Sequence, residues 1–204
     1  MISVVCIEGT KGAGKSTTIA RVHKTLQARG WRTKIVAPFA LANAHAQTLG
    51  YPGAVPMFAT PETHRATVEF EAEILHGSVD AFRAELGADE RAALIFDRGW
   101  ITFHAHVHDG ACDDCDWREA HWKRALGSAP PTVFIHTRPE VTLRRRAGEL
   151  DEVSGLQSIE RVRADWVKRT AMAAAHPDRI ALSIETVEER WVDTVTPIVA
   201  LLGV

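Results

Sequence analysis

Eight residues, Gly9-Thr10-Lys11-Gly12-Ala13-Gly14-Lys15-Ser16, fit the spacing G-x-x-x-x-G-K-[ST] at every fixed position. Residue types at that spacing suit one task. The glycines let backbone N–H groups curl round an anion, the lysine adds a mobile positive charge, and the serine hydroxyl can ligate a divalent cation. Gly9 through Ser16, with Thr17 next in the chain, are therefore the expected contacts of the phosphates of ATP or GTP, with Mg²⁺ on Ser16. A helix opening at Lys15 would turn its positive end toward the same anion. A second signal is Leu94-Ile95-Phe96-Asp97-Arg98, an apolar strand pattern ending in a carboxylate and a guanidinium. Ligands of open α/β sheets collect at that end of a strand. Asp97 can hold Mg²⁺ there, and Arg98 can grip an anionic acceptor. No Asn-Lys-x-Asp guanine-reading motif occurs, so these two signals together suit a small-molecule kinase better than a small GTPase.

Two further clusters carry chemistry. Arg144, Arg145 and Arg146 are too closely spaced for all three to share one helix face. Between Trp100 and Trp122 the composition shifts toward His104, His106, His108, His121, Cys112 and Cys115 among four aspartates. A Cys-x-x-Cys knuckle presents two thiolates to one metal, so Cys112 and Cys115 with His104 and His108 are candidate Zn²⁺ ligands. A polar loop that contacts the acceptor and a plain surface insert are the alternatives for this segment, about 103–121. The three alternating histidines would share a face on a strand and spread apart on a helix.

The elements that must position these groups follow from pattern. Apolar runs at Ile2–Ile7, Arg32–Ala37, Ala93–Phe96, Thr132–His136 and Arg179–Leu182 read as strands. Longer periodic stretches at Lys15–Arg29, Pro61–Leu86, Trp117–Leu126, Glu140–Arg146, Leu156–Ala175 and Val187–Leu202 read as helices. The alternation predicts a mainly parallel sheet with crossover helices. The stretch from Pro38 to Pro61 reads as a loop at a site edge, because Pro52-Gly53 and Pro56 break it. No repeat or linker divides the 204 residues, so 1–204 is expected to be one domain.

Composition sets outer limits. Twenty-four basic against 26 acidic residues exclude a broadly basic nucleic-acid coat. No apolar run is long enough to span a bilayer. The first residues lack the pattern of a cleaved leader, and three cysteines supply no disulfide framework. A cytoplasmic protein is the expectation.

In family order, five stretches resemble the thymidylate kinase-like branch of P-loop nucleotide kinases. They are Cys6-Ile7-Glu8-Gly9 with its phosphate loop, Asp97-Arg98, and Pro130-Pro131-Thr132-Val133-Phe134-Ile135 before Pro139-Glu140. Arg144-Arg145-Arg146-Ala147-Gly148-Glu149-Leu150-Asp151 and Arg161-Val162-Arg163-Ala164-Asp165-Trp166 complete the set. The resemblance implies the P-loop kinase fold, with a five-stranded parallel sheet flanked by helices, ATP as donor, Mg²⁺, and a mobile arginine-rich lid at about 144–157. It further implies that Arg144 stacks on adenine, that Arg146 reaches the transferring phosphate, and that Arg65, Arg98, Thr102, His106 and Lys11 lie on the acceptor side. Glu8 matches a carboxylate that serves as a base in the related deoxynucleoside kinases. On this reading Lys15, Asp97, Arg98, Arg146 and Glu8 form the catalytic set.

The departures fall on the acceptor side. Lys11 stands where thymidylate kinases have an Asp, Val107 stands in place of their thymine-reading Gln, and Val36-Ala37-Pro38-Phe39 lacks their Arg-Glu-Pro element. The expected acceptor is therefore a nucleotide with a non-thymine or modified base. The alternatives are a hydroxyl of a nucleoside, of a modified base in nucleic acid or of another small molecule, and, in a different class, an ATP-dependent switch. A homodimer is compatible with all of them.

Overall fold

The computed structural model describes residues 2–53, 61–88, 90–106, 123–125, 127–145, 159–187 and 192–203; for 61–71, 103, 104 and 106 it describes the backbone. Five strands, β1 (Ile2–Gly9), β2 (Arg32–Val36), β3 (Ala92–Asp97), β4 (Thr132–His136) and β5 (Ile180–Glu185), form one all-parallel sheet in the order β2-β3-β1-β4-β5. Helices are α1 (Lys15–Ala28), α2 (Pro38–Thr48), α3 (Pro61–Ala84), α4 (Trp100–His106), α5 (Pro139–Arg145), α6 (Ile159–Ala175) and α7 (Thr196–Leu201).

Strand alternation sorts the core into two layers. Val5 and Ile7 of β1, with Ala93, Ile95, Val133 and Ile135, pack under Val22 and Leu26 of α1 and Ile198 of α7. The even-numbered side chains point the other way. Cys6, Leu94 and Phe96 meet Leu75, Val79 and Phe82 of α3, while Phe134 meets Trp100 and Ile101 of α4. Because both faces are covered, Ala92 through Phe96 are all buried, the continuous apolar run of a central parallel strand.

Strand predictions held to within three residues at each end. Three other expectations change. Pro38 does not break structure: it opens α2 at the first helical position, where its missing N–H costs nothing. Phe39, Ala42 and Ala46 then give that helix a buried stripe. The last helix starts at Thr196 rather than Val187, and the Asp193 carboxylate accepts N–H bonds from Val195 (2.9 Å) and Thr196 (3.1 Å) just before it. The segment from Trp100 begins as α4, so 103–106 of the expected insert are helical. Residues 107–122 of that insert, most of the expected Trp117–Leu126 helix, and 146–157 of the expected lid lie outside the described residues.

Candidate active site

The site forms where β1 and β3 end side by side, with Ile7 in register with Asp97. Connections leave β1 and β3 toward opposite edges of the sheet, which opens the crevice that ligands use in open α/β sheets. β1 runs into the phosphate loop through Gly9 at φ 146°, and a Cβ there would overlap the carbonyl of Ile135. No other residue fits that position.

The loop's carbonyl oxygens are held one after another, two by the loop's own lysine and three from outside. Lys15 Nζ donates to Gly9 O (2.8 Å) and Thr10 O (2.7 Å). Thr142 Oγ1 donates to Lys11 O (2.7 Å), Arg145 Nη1 to Gly12 O (3.1 Å), and Thr186 Oγ1 to Ala13 O (3.2 Å). Fixing five carbonyls this way preorganises the intervening backbone. The first-turn amides of α1, which no helix can satisfy internally, remain as donors for an anion. Lys15 itself is nearly buried. Burial, then the positive charges of Arg169 and Arg98, lower its ammonium pKa from the usual 10.5 to about 7. Ser16 and Thr17 are exposed at the mouth of the loop.

On the neighbouring strand, Asp97 places Oδ1 in a solvent-free position with no hydrogen-bond partner. Burial raises its pKa, against the pull of Arg98 and Lys15. A buried carboxylate oxygen left unsatisfied is costly, and a hard divalent cation is a fitting partner. Ser16 and Asp97 thus suit Mg²⁺. Arg98 follows with φ +72°, a left-handed backbone that a side chain rarely adopts. Its N–H donates to Ile7 O (3.0 Å) and its guanidinium lies 6.0 Å from the ring centre of Phe39. Such strain at a crevice marks a residue held for its direction.

Two expected site residues turn inward. Glu8 follows the even-numbered face of β1 toward α4 and α6, where it is 0% exposed. Its Oε1 accepts from the amides of Gly99 (2.6 Å) and Thr102 (3.1 Å), and its Oε2 from Thr102 Oγ1 (2.7 Å). A carboxylate so occupied anchors the chain from Gly99 to Thr102. Thr102, also fully buried, donates its hydroxyl to Glu8 and accepts from Arg169 Nη1 (2.7 Å).

Other expectations meet the structure unevenly. Arg144 is exposed at the end of α5, while Arg145 folds back to bond Gly12, Thr186 and Val187. Lys11 is half-buried, and its amide donates to Asp165 Oδ2 (3.4 Å). Arg65 lies on α3. His104 and His106 are two residues apart on α4, so they do not share a face as they would on a strand. Arg146, Val107, His108, Cys112 and Cys115 lie outside the described residues, and among the described ones no group of His, Cys, Asp or Glu is placed to hold a metal. Sequence reasoning missed Asp165, Arg169, Thr142 and Thr186. An Asp and an Arg four apart on α6 were visible, but such pairs are common on exposed helix faces.

Fold and phosphate loop together define the class: the chain has the P-loop kinase fold. Among solved structures it is similar over 99% of its length to the shikimate kinase of Bacteroides thetaiotaomicron (99% of that chain, TM-score 0.56, 15% identity). It is similar over the same share to the shikimate kinase of Acinetobacter baumannii, solved with shikimate (93% of that chain, TM-score 0.55, 15% identity). No family model and no curated protein matches the sequence. Among the described residues no helix is long and apolar enough to cross a membrane.

Proposed function

We propose that this protein is an ATP- and Mg²⁺-dependent kinase that transfers a phosphoryl group to a small acceptor bearing an anionic group. The observation that carries the reading is Asp97: a buried carboxylate oxygen that accepts no hydrogen bond and has the Arg98 guanidinium 3.8 Å away, one strand from a preorganised phosphate loop. Lys15 and the first-turn amides of α1 hold the donor phosphates. Mg²⁺ on Ser16 and Asp97 would neutralise charge on the phosphate oxygens. Arg98, fixed in direction by its backbone, faces the acceptor's charge. The lid arginines Arg144 and Arg146 close over the donor, whereas Arg145 keeps the loop in shape.

A nucleotide acceptor, of the thymidylate kinase-like type but with a base other than thymine, agrees best with Asp97-Arg98 and the Arg144–Asp151 stretch. A hydroxyl acceptor is the second reading. The raised pKa of Asp97 favours it, since a carboxylate with a spare oxygen can take the hydroxyl proton. The solved neighbours, whose named acceptor is shikimate, point the same way.

An ATP-consumption screen decides between them, run across nucleoside monophosphates, nucleosides, single-stranded DNA and hydroxylated carboxylic acids including shikimate, with products identified by mass. Stimulation by one class above the basal rate is expected. dTMP should be at least ~100-fold worse in kcat/KM than the best acceptor, because a site lacking the thymine-reading partner loses that discrimination. Slow turnover that no acceptor stimulates would instead identify a nucleotide-dependent switch.

A further inference from the structure

Beneath the site lies a buried charged bridge that the phosphate-transfer chemistry does not itself use. Arg169 of α6 is 4% exposed and Glu8 of β1 is 0% exposed. Arg169 Nη1 lies 3.7 Å from Glu8 Oε2 and donates to Thr102 Oγ1 at 2.7 Å, while its Nε donates to Asp165 Oδ1 at 2.8 Å. The bridge has two ends. Through Glu8 it reaches the amide of Gly99, the residue directly after Asp97-Arg98. Through Asp165 it reaches the amide of Lys11 in the phosphate loop.

The two ends do not depend on it equally. The phosphate loop has its carbonyls fixed by Lys15, Thr142, Arg145 and Thr186, and would keep its shape without Asp165. The turn at Asp97-Arg98-Gly99 is held in a strained left-handed conformation, and Glu8 is the side chain that secures its far end. The fully buried Glu8 carboxylate has a counter-charge in the Arg169 guanidinium, 3.7 Å away. There is no room for substitute packing either, since a Cβ on Gly99 would come within 2.8 Å of Cys6 Sγ.

We propose that Arg169 is a positioning residue that, through Glu8 and Thr102, sets the Asp97-Arg98 turn against the phosphate loop. It touches neither ATP nor acceptor, and it controls the approach of the two reacting halves. A displaced turn slows transfer while leaving the donor site intact, because small misplacements of reacting groups cost large factors in rate.

The kinetic side of this inference rests on the kinase reading, so its test has one arm that does not. In Arg169→Lys, folding is checked by its melting temperature. Exchange of the Gly99 and Thr102 amides is then read by ¹⁵N NMR, expected to be about tenfold faster than in the wild type, with β3 amides unchanged. With the best acceptor from the screen, kcat should fall by about tenfold or more, while the Kd for Mg·ATP from calorimetry stays within about threefold. Thr102→Val, which removes the shared hydroxyl and keeps the shape, should move the same amides and the same kcat, and it stands in if Arg169→Lys does not fold. Unchanged exchange at Gly99 and Thr102 in a folded variant overturns the proposal, as does loss of ATP affinity in step with kcat. Faster exchange in a protein that no acceptor stimulates would keep the bridge and discard the kinase reading.

Discussion

Lys15 illustrates how one side chain can serve two masters. In the structure its ammonium bonds its own loop's carbonyls; in the proposed reaction it meets phosphate oxygens instead. Lys15→Ala should leave a folded protein and lower kcat by at least about a hundredfold, from lost charge stabilisation of the moving group; near-normal turnover in a folded variant would remove the kinase assignment. Its pKa of about 7 has a sign that can be worked out. Between there and 10.5 the unfolded chain binds a proton that the folded site lacks, so Lys15's contribution to stability rises with pH across that window and is flat below it. Phosphate binding favours the charged form, so Mg·ATP should draw in close to one proton at about pH 8.5 and almost none near pH 6. Calorimetry in buffers of different ionisation enthalpy measures this directly, and an apparent enthalpy independent of buffer at the higher pH would refute it.

At the scale of elements, the phosphate loop was legible because its signal is local, eight residues with fixed spacing between a strand and a helix. What shapes the loop was not. The groups that fix the carbonyls of Lys11, Gly12 and Ala13 come from α5 and from the chain after β5, 131, 133 and 173 residues away in sequence. No window of residues contains both partners. Arg145 looked like a member of a basic run, and only the fold reveals it as a strap. Arg145→Ala should therefore raise the Kd for Mg·ATP by about tenfold, through a loosened Gly12 carbonyl and a freed Val187 segment. The same substitution at exposed Arg29, at the far end of α1, is the control for simple loss of charge. The surroundings of Glu8 were hidden for a related reason. Family resemblance suggested a base, whereas strand alternation aims it at the α4 and α6 layer, where the cation that receives it is 161 residues further along the chain. α2 escaped the sequence reading because Pro52-Gly53 and Pro56, the breakers of the stretch from Pro38 to Pro61, lie beyond the helix, which ends at Thr48.

For the molecule as a whole, the sheet order carries a consequence for how the chain comes to be folded. Of these five strands β1 is synthesised first, yet it ends up in the middle of the sheet, between β3 and β4. Its hydrogen-bonding edges wait for residues 92–97 on one side and 132–136 on the other. Until then Val4-Val5-Cys6-Ile7 is an apolar strand with two open edges, the kind of segment that pairs with a stranger. Nascent chains halted before Asp97 should accordingly aggregate or be retained by holdase chaperones. Chains halted after residue 136 should show protease protection of β1, and equal protection at both lengths would show that the strand is sheltered by something other than its sheet neighbours. The arrangement that brings the phosphate loop and Asp97 together at one crevice therefore also leaves an apolar strand open during synthesis: the strand that carries the phosphate loop waits through more chain than any other for its neighbours.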